Sequence, residues 1–141
     1  MMNITPMHSN SGPRILIAIE DPIEALALES IMRAEHYSDI RITTDTREVV
    51  PMHKHWPFQV LVLDMHSREM DGFHIIDELG HAIRRAELSI ISLVNKGAEE
   101  LRMLSVASGA IGTVARPILH HQAIPAIRDA MKAVPMRISS F

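Results

Sequence analysis

A chain of 141 residues has room for one domain built around one hydrophobic core. Its apolar fraction of 47%, its charged fraction of 22% and a net charge of −3 with dispersed Lys and Arg leave no electrostatic footprint for nucleic acid. The absence of cysteine excludes disulfides, thiolate catalysis and Cys-based metal sites, and no run nears the ~18 apolar residues of a membrane span.

Residues 1–13 are rich in Asn, Ser, Pro and Gly without periodicity and read as a flexible leader. They lack the basic and apolar regions of a secretory signal, so the expected compartment is the cytoplasm. The domain is expected over 14–135, with 136–141 as a tail. Residues 14–19 form a strand-like apolar run. Pro22 suits the first turn of a helix, in which Ile23, Leu26, Ala27, Ser30 and Ile31 recur at helical spacing to about His36. Residues 39–44 read as a β-branched strand, and Asp45 or Thr46 can cap a short second helix ending near Pro51. The third strand is 58–63. Asp71-Gly72 opens one helix carrying Phe73, Ile76, Leu79 and Ile83. A fourth strand at 88–94, a helix at 97–108, a fifth strand at 111–115 and a last helix at 118–134 complete the series. In the last two helices, Leu101, Leu104, Val106, Ile124, Ile127 and Met131 read mainly as core, any exposed remainder being a partner surface.

Five strands alternating with five helices call for an α/β fold, a parallel sheet covered on both faces and joined by right-handed crossovers. The expected form is the flavodoxin-like doubly wound sheet in the order 2-1-3-4-5, which builds its sites at the C-terminal strand ends. Leu61-Val62-Leu63-Asp64 is a buried-strand run that delivers Asp64 to that edge. Glu20, Val94 and Arg116 stand at the ends of strands one, four and five.

With Met70-Asp71-Gly72 at a fixed distance after Asp64, Glu20-Asp21 after the first strand and Arg116-Pro117 after the fifth, the chain resembles the receiver domain of two-component response regulators. The resemblance covers roughly 14–134. It implies phosphoryl transfer from a histidine kinase or phosphotransfer protein to Asp64, a downstream protein target, and no enzyme activity of its own. It also implies weakly held Mg2+, because a carboxylate attacking phosphorus needs a hard cation with oxygen ligands. Those ligands would be Glu20, Asp64 and the backbone carbonyl of His66, with Asp21 as a further candidate in a shifted register. Homodimerisation would use the face of helix 4, strand 5 and helix 5.

Several family positions are altered. Ile19 replaces one acid of the pair. Met65-His66-Ser67-Arg68-Glu69 replaces the usual Met-Pro turn. Val94 stands where the family carries Ser or Thr and cannot hydrogen-bond a phosphoryl oxygen. Thr113 stands at the aromatic switch position. Arg116 replaces the Lys before a cis-linked Pro, keeping the charge on a larger planar fork. Arg116 could therefore bind phosphate or lock onto Asp64 and Glu20 as a permanent ion pair.

Three readings follow: an atypical phosphoacceptor, a phosphorylation-independent adaptor, and a small flavodoxin-like enzyme. The last is weakest, since no phosphate-cradling Gly-rich loop or nucleophile–base pair is visible. The His53/His55 and His120/His121 pairs lack an acidic partner at ligand spacing and read as solvated or helix-end residues.

Overall fold

The computed structural model describes residues 12–134. The tail at 136–141 and nearly all of the expected leader lie outside them. Among the described residues, five strands form one parallel sheet in the order β2-β1-β3-β4-β5, with five helices in the crossovers and a sixth after β5. The strands are β1 (Ile15–Ala18), β2 (Ile40–Thr43), β3 (Val60–Asp64), β4 (Ser89–Val94) and β5 (Gly112–Ala115). The helices are α1 (Pro22–Ala34), α2 (Val49–His55), α3 (Gly72–Glu78), α4 (Gly80–Arg84), α5 (Glu99–Ser108) and α6 (His120–Lys132).

The central strands are buried on both sides, which is why they read as continuous apolar runs rather than alternating ones. Alternation decides only which core each side chain enters. Ile15, Ile17, Val62, Ile91 and Leu93 pack with α1 and α6, whereas Leu16, Leu61, Leu63, Ile90 and Val94 pack with the opposite helices. Register brings the strand ends level. Asp64 lies opposite Leu93, and Val94 opposite Ala115. The residues that follow β1, β4 and β5 therefore gather beside Asp64.

Several expectations need correction. A single 3-10 turn at Thr46–Glu48 precedes α2, which runs through Pro51 to His55. Pro51 is the third residue of that helix, where the missing N–H has no intrahelical acceptor to lose. The expected third helix is two. Leu79, at φ −94° and ψ 6°, interrupts it before Gly80, a residue that costs helices about 1 kcal/mol.

The buried face of α1 is Ala25, Leu28 and Met32, not the Ile23 series; Ile23 is 77% and Leu26 57% exposed. That helix is apolar nearly all round, so spacing alone cannot choose its inner face. Likewise Leu104 and Val106 on α5 are exposed and Leu101 only half-buried, while Ile124 and Ile127 on α6 are core as expected. Helix α5 ends at Gly109, whose φ of 137° disfavours any side chain.

Candidate functional site

The acidic crevice at the C-terminal edge of the sheet is lined by Glu20, Asp21, Glu24, Asp64, His66, Asn95 and Arg116. Asp64 is only 3% exposed. The strand carries it to the edge and the next turn then holds it. The His66 backbone N–H donates to Oδ1 at 2.9 Å, and the Glu20 backbone N–H approaches Oδ2 at 3.4 Å.

Arg116 binds in three directions from one plane. Its Nη2 lies 2.8 Å from Asp64 Oδ2, its Nε 3.0 Å from both Glu24 carboxylate oxygens, and its Nη1 3.0 Å from Asn95 Oδ1. Burial works against the guanidinium's charge, but hydrogen bonds to Glu24 and Asp64 and the charges of both outweigh it and lift the Arg116 pKa further above its ordinary range. The Arg116–Pro117 peptide is cis, as the resemblance implied.

The ion pair foreseen for Arg116 thus forms with Asp64, but its second carboxylate is Glu24 rather than Glu20. Glu20 turns to the β3–α3 loop, where the Arg68 backbone N–H donates to Oε2 at 3.1 Å and Arg68 Nε to Oε1 at 3.2 Å. Asp21 is the N-cap of α1, accepting the Ile23 N–H at 2.9 Å. Val94 and Thr113 do not line the crevice. Val94 is 2% exposed within the core, and Thr113 is half-buried on β5.

Glu24 and Asn95 were missed by sequence reasoning. The run Asp21-Pro22-Ile23-Glu24 has capping-box spacing, which would assign Glu24 to the helix terminus rather than to a cation 92 positions away. Asn95 lies one residue beyond the strand end that drew notice to Val94. The only signal for it was a polar side chain directly following a buried strand.

A five-stranded 2-1-3-4-5 sheet with an aspartate sunk in an acidic crevice at its C-terminal edge defines a flavodoxin-like fold. The model of the response regulator receiver domain matches residues 15–128, and the chain belongs to that family. It is 27% identical over 109 residues to the two-component response regulator ORR25 of Oryza sativa subsp. japonica, covering 76% of this chain and only 15% of that protein. Its fold is shared with a CheY-like response regulator receiver domain protein from Methanospirillum hungatei (TM-score 0.75, 20% identity, 86% of this chain and 95% of that one). A response regulator receiver domain protein from Clostridium thermocellum is similar to the same degree (TM-score 0.75, 16% identity, 85% and 94%).

Receiver domains are modules of two-component signalling, and they generally bind Mg2+ at their acidic pocket. The residues here do not fit that ion as they stand. Ile19, beside Glu20, is fully buried and offers no carboxylate. Both Glu20 oxygens accept from Arg68, and the two Asp64 oxygens accept from His66 and Arg116. Among the described residues no group of three or more His, Asp or Glu side chains is placed to hold a metal. No described helix is long and apolar enough to cross a membrane.

Proposed function

We propose that this receiver, a domain over 14–135 acting in the cytoplasm, works in two-component signalling chiefly through protein contact. Phosphorylation of Asp64 by a histidine kinase or phosphotransfer protein is slow or lost. The observation that carries this reading is the 2.8 Å contact between Arg116 and Asp64 Oδ2. A carboxylate oxygen already neutralised by a part-buried guanidinium is a poor nucleophile, and that guanidinium stands in the way of a phosphodonor. The usual relay is also missing, because Val94 offers no hydroxyl and Thr113 no aromatic ring. Contact surfaces are present on two sides. Ile23 and Leu26 stand exposed on α1 beside Glu24, and Met103, Leu104, Val106 and Ile111 on the α5–β5 side, the face on which a downstream protein or a second copy would dock.

The test is to incubate the protein with Mg2+ and a small acyl phosphate and to follow its intact mass. The parent is expected to stay unlabelled while a receiver with a complete acidic pair is labelled. Labelling that appears in Arg116→Lys would make the parent a restrained phosphoacceptor; its absence there too would make it a phosphorylation-independent adaptor. Stoichiometric labelling of the parent that vanishes in Asp64→Asn would overturn the reading.

A further inference from the structure

We propose that the Arg116 guanidinium is the resident cation of this pocket, neutralising Asp64 in place of a divalent metal, and that Glu24 is the positioning residue that keeps it over Asp64. This rests on the reading of the crevice as a receiver's acidic site.

Three elements converge on the rigid group that Arg116 carries after β5: Glu24 from α1, Asp64 from β3 and Asn95 after β4. Glu24 meets Nε with both oxygens at 3.0 Å, so one N–H is shared between them in a charge-assisted contact that anchors that side of the fork. With Nε anchored on one side and Nη1 on Asn95 on the other, Nη2 is left aimed at Asp64. An ammonium in the same place would have no plane to fix.

The Arg116 side chain is 22% exposed and the Asp64 side chain 4%, so water screens this contact little. A divalent cation entering the crevice would have to displace Arg116 from Asp64 and Arg68 from Glu20. It would then sit beside two displaced positive charges. The pocket is therefore closed to Mg2+ by a side chain of the protein itself.

The test is an NMR titration of the full chain with MgCl2, with no phosphodonor and no partner present. In the parent, the backbone amides of Glu20, Asp64 and His66 should show no saturable shift. Arg116→Ala leaves Glu20, Glu24 and Asp64 facing one space, so saturable shifts should appear at those amides with a Kd of about 1 mM, the weak end for oxygen sites. Should Arg116→Ala fail to fold, Arg116→Gln, which keeps the stem and a polar end but not the charge, decides in its place.

For Glu24 the readout is the Arg116 Nε–H signal, which a merely structural role would not move. It should exchange slowly with water in the parent and at least about tenfold faster in Glu24→Gln, as expected when a part-buried charged hydrogen bond is lost. Saturation of the parent by Mg2+, or no gain of Mg2+ shifts on removing the Arg116 charge, overturns the resident-cation assignment. Unchanged Nε–H exchange in Glu24→Gln overturns the role of Glu24. Neither result bears on contact signalling, which fails only if the parent is labelled at Asp64.

Discussion

His66 and Asn95 are joined across the mouth of the acidic crevice, where the Asn95 backbone N–H donates to Nε2 of the His66 ring at 2.9 Å. The ring accepts there only with Nε2 unprotonated, which places any ring proton on Nδ1. Asn95 in turn accepts from Arg116 through its side-chain oxygen. A histidine of the β3–α3 loop thus supports the guanidinium indirectly.

His66→Ala should free the Asn95 amide and leave the fold intact. Asn95 is exposed, so water can replace the lost acceptor, and the stability loss should stay near 0.5–1.5 kcal/mol. Hydrogen exchange at the Asn95 amide should accelerate. Exchange equal to the parent's would show that the ring is not its acceptor in solution.

Ser92 and Ser105 make a different kind of link. Both are fully buried, their hydroxyls lie 2.8 Å apart, and Ser105 Oγ also donates to the Arg102 carbonyl at 2.8 Å. With its proton committed to Arg102, Ser105 accepts from Ser92. Ser105→Ala therefore leaves the Ser92 hydroxyl buried without an acceptor and should cost about 1–3 kcal/mol. Ser92→Ala leaves Ser105 satisfied and should cost less. Urea denaturation of both single variants and the double variant provides the comparison, and equal single costs would contradict the assigned direction of donation.

Val94→Thr places a hydroxyl in the core, not in the crevice. It should destabilise the protein by about 1–3 kcal/mol and leave the Asp64 and Arg116 resonances where they are. Shifts confined to Asp64 with no loss of stability would put position 94 in the site after all.

His53 makes stability pH-dependent. Its ring is half-buried, edge-on to Phe58 with centroids 4.7 Å apart. Burial pushes its pKa below the ordinary value of 6.5, outweighing a hydrogen bond to the Phe58 backbone and the charge of Glu87. The unfolded chain then takes up a proton before the folded one does. Stability from this group is complete above about pH 6.5 and is lost as pH falls from there through the lower folded pKa. Denaturant titrations at about pH 7.5 and 5.5 should show a shallower pH dependence in His53→Gln than in the parent. An identical dependence would assign the effect elsewhere.

The strands and their order were legible because each central strand is a short apolar run buried on both faces, and Leu61-Val62-Leu63-Asp64 also announces where its run stops. The inner face of α1 was not legible, since Ile23 and Leu26 are as apolar as Leu28 and only the surrounding sheet distinguishes them. At the site, Asp64, Glu20 and Arg116 could be placed together from strand ends alone. The partner of Arg116 could not. Glu20 and Glu24 are both acids close to the end of β1, and the choice between them depends on the helical turn that brings Glu24 round and on the Arg68 loop that draws Glu20 away.

Two acids of the crevice, Glu20 and Asp64, are held by arginines of very different accessibility. Arg68, paired with Glu20, is 87% exposed, whereas Arg116, paired with Asp64, is 22% exposed. Mobile ions reach the first pair freely and the second hardly at all. Rising ionic strength therefore loosens the β3–α3 loop from Glu20 while Asp64 stays gripped, so the rim of the crevice answers to its ionic surroundings and the floor does not.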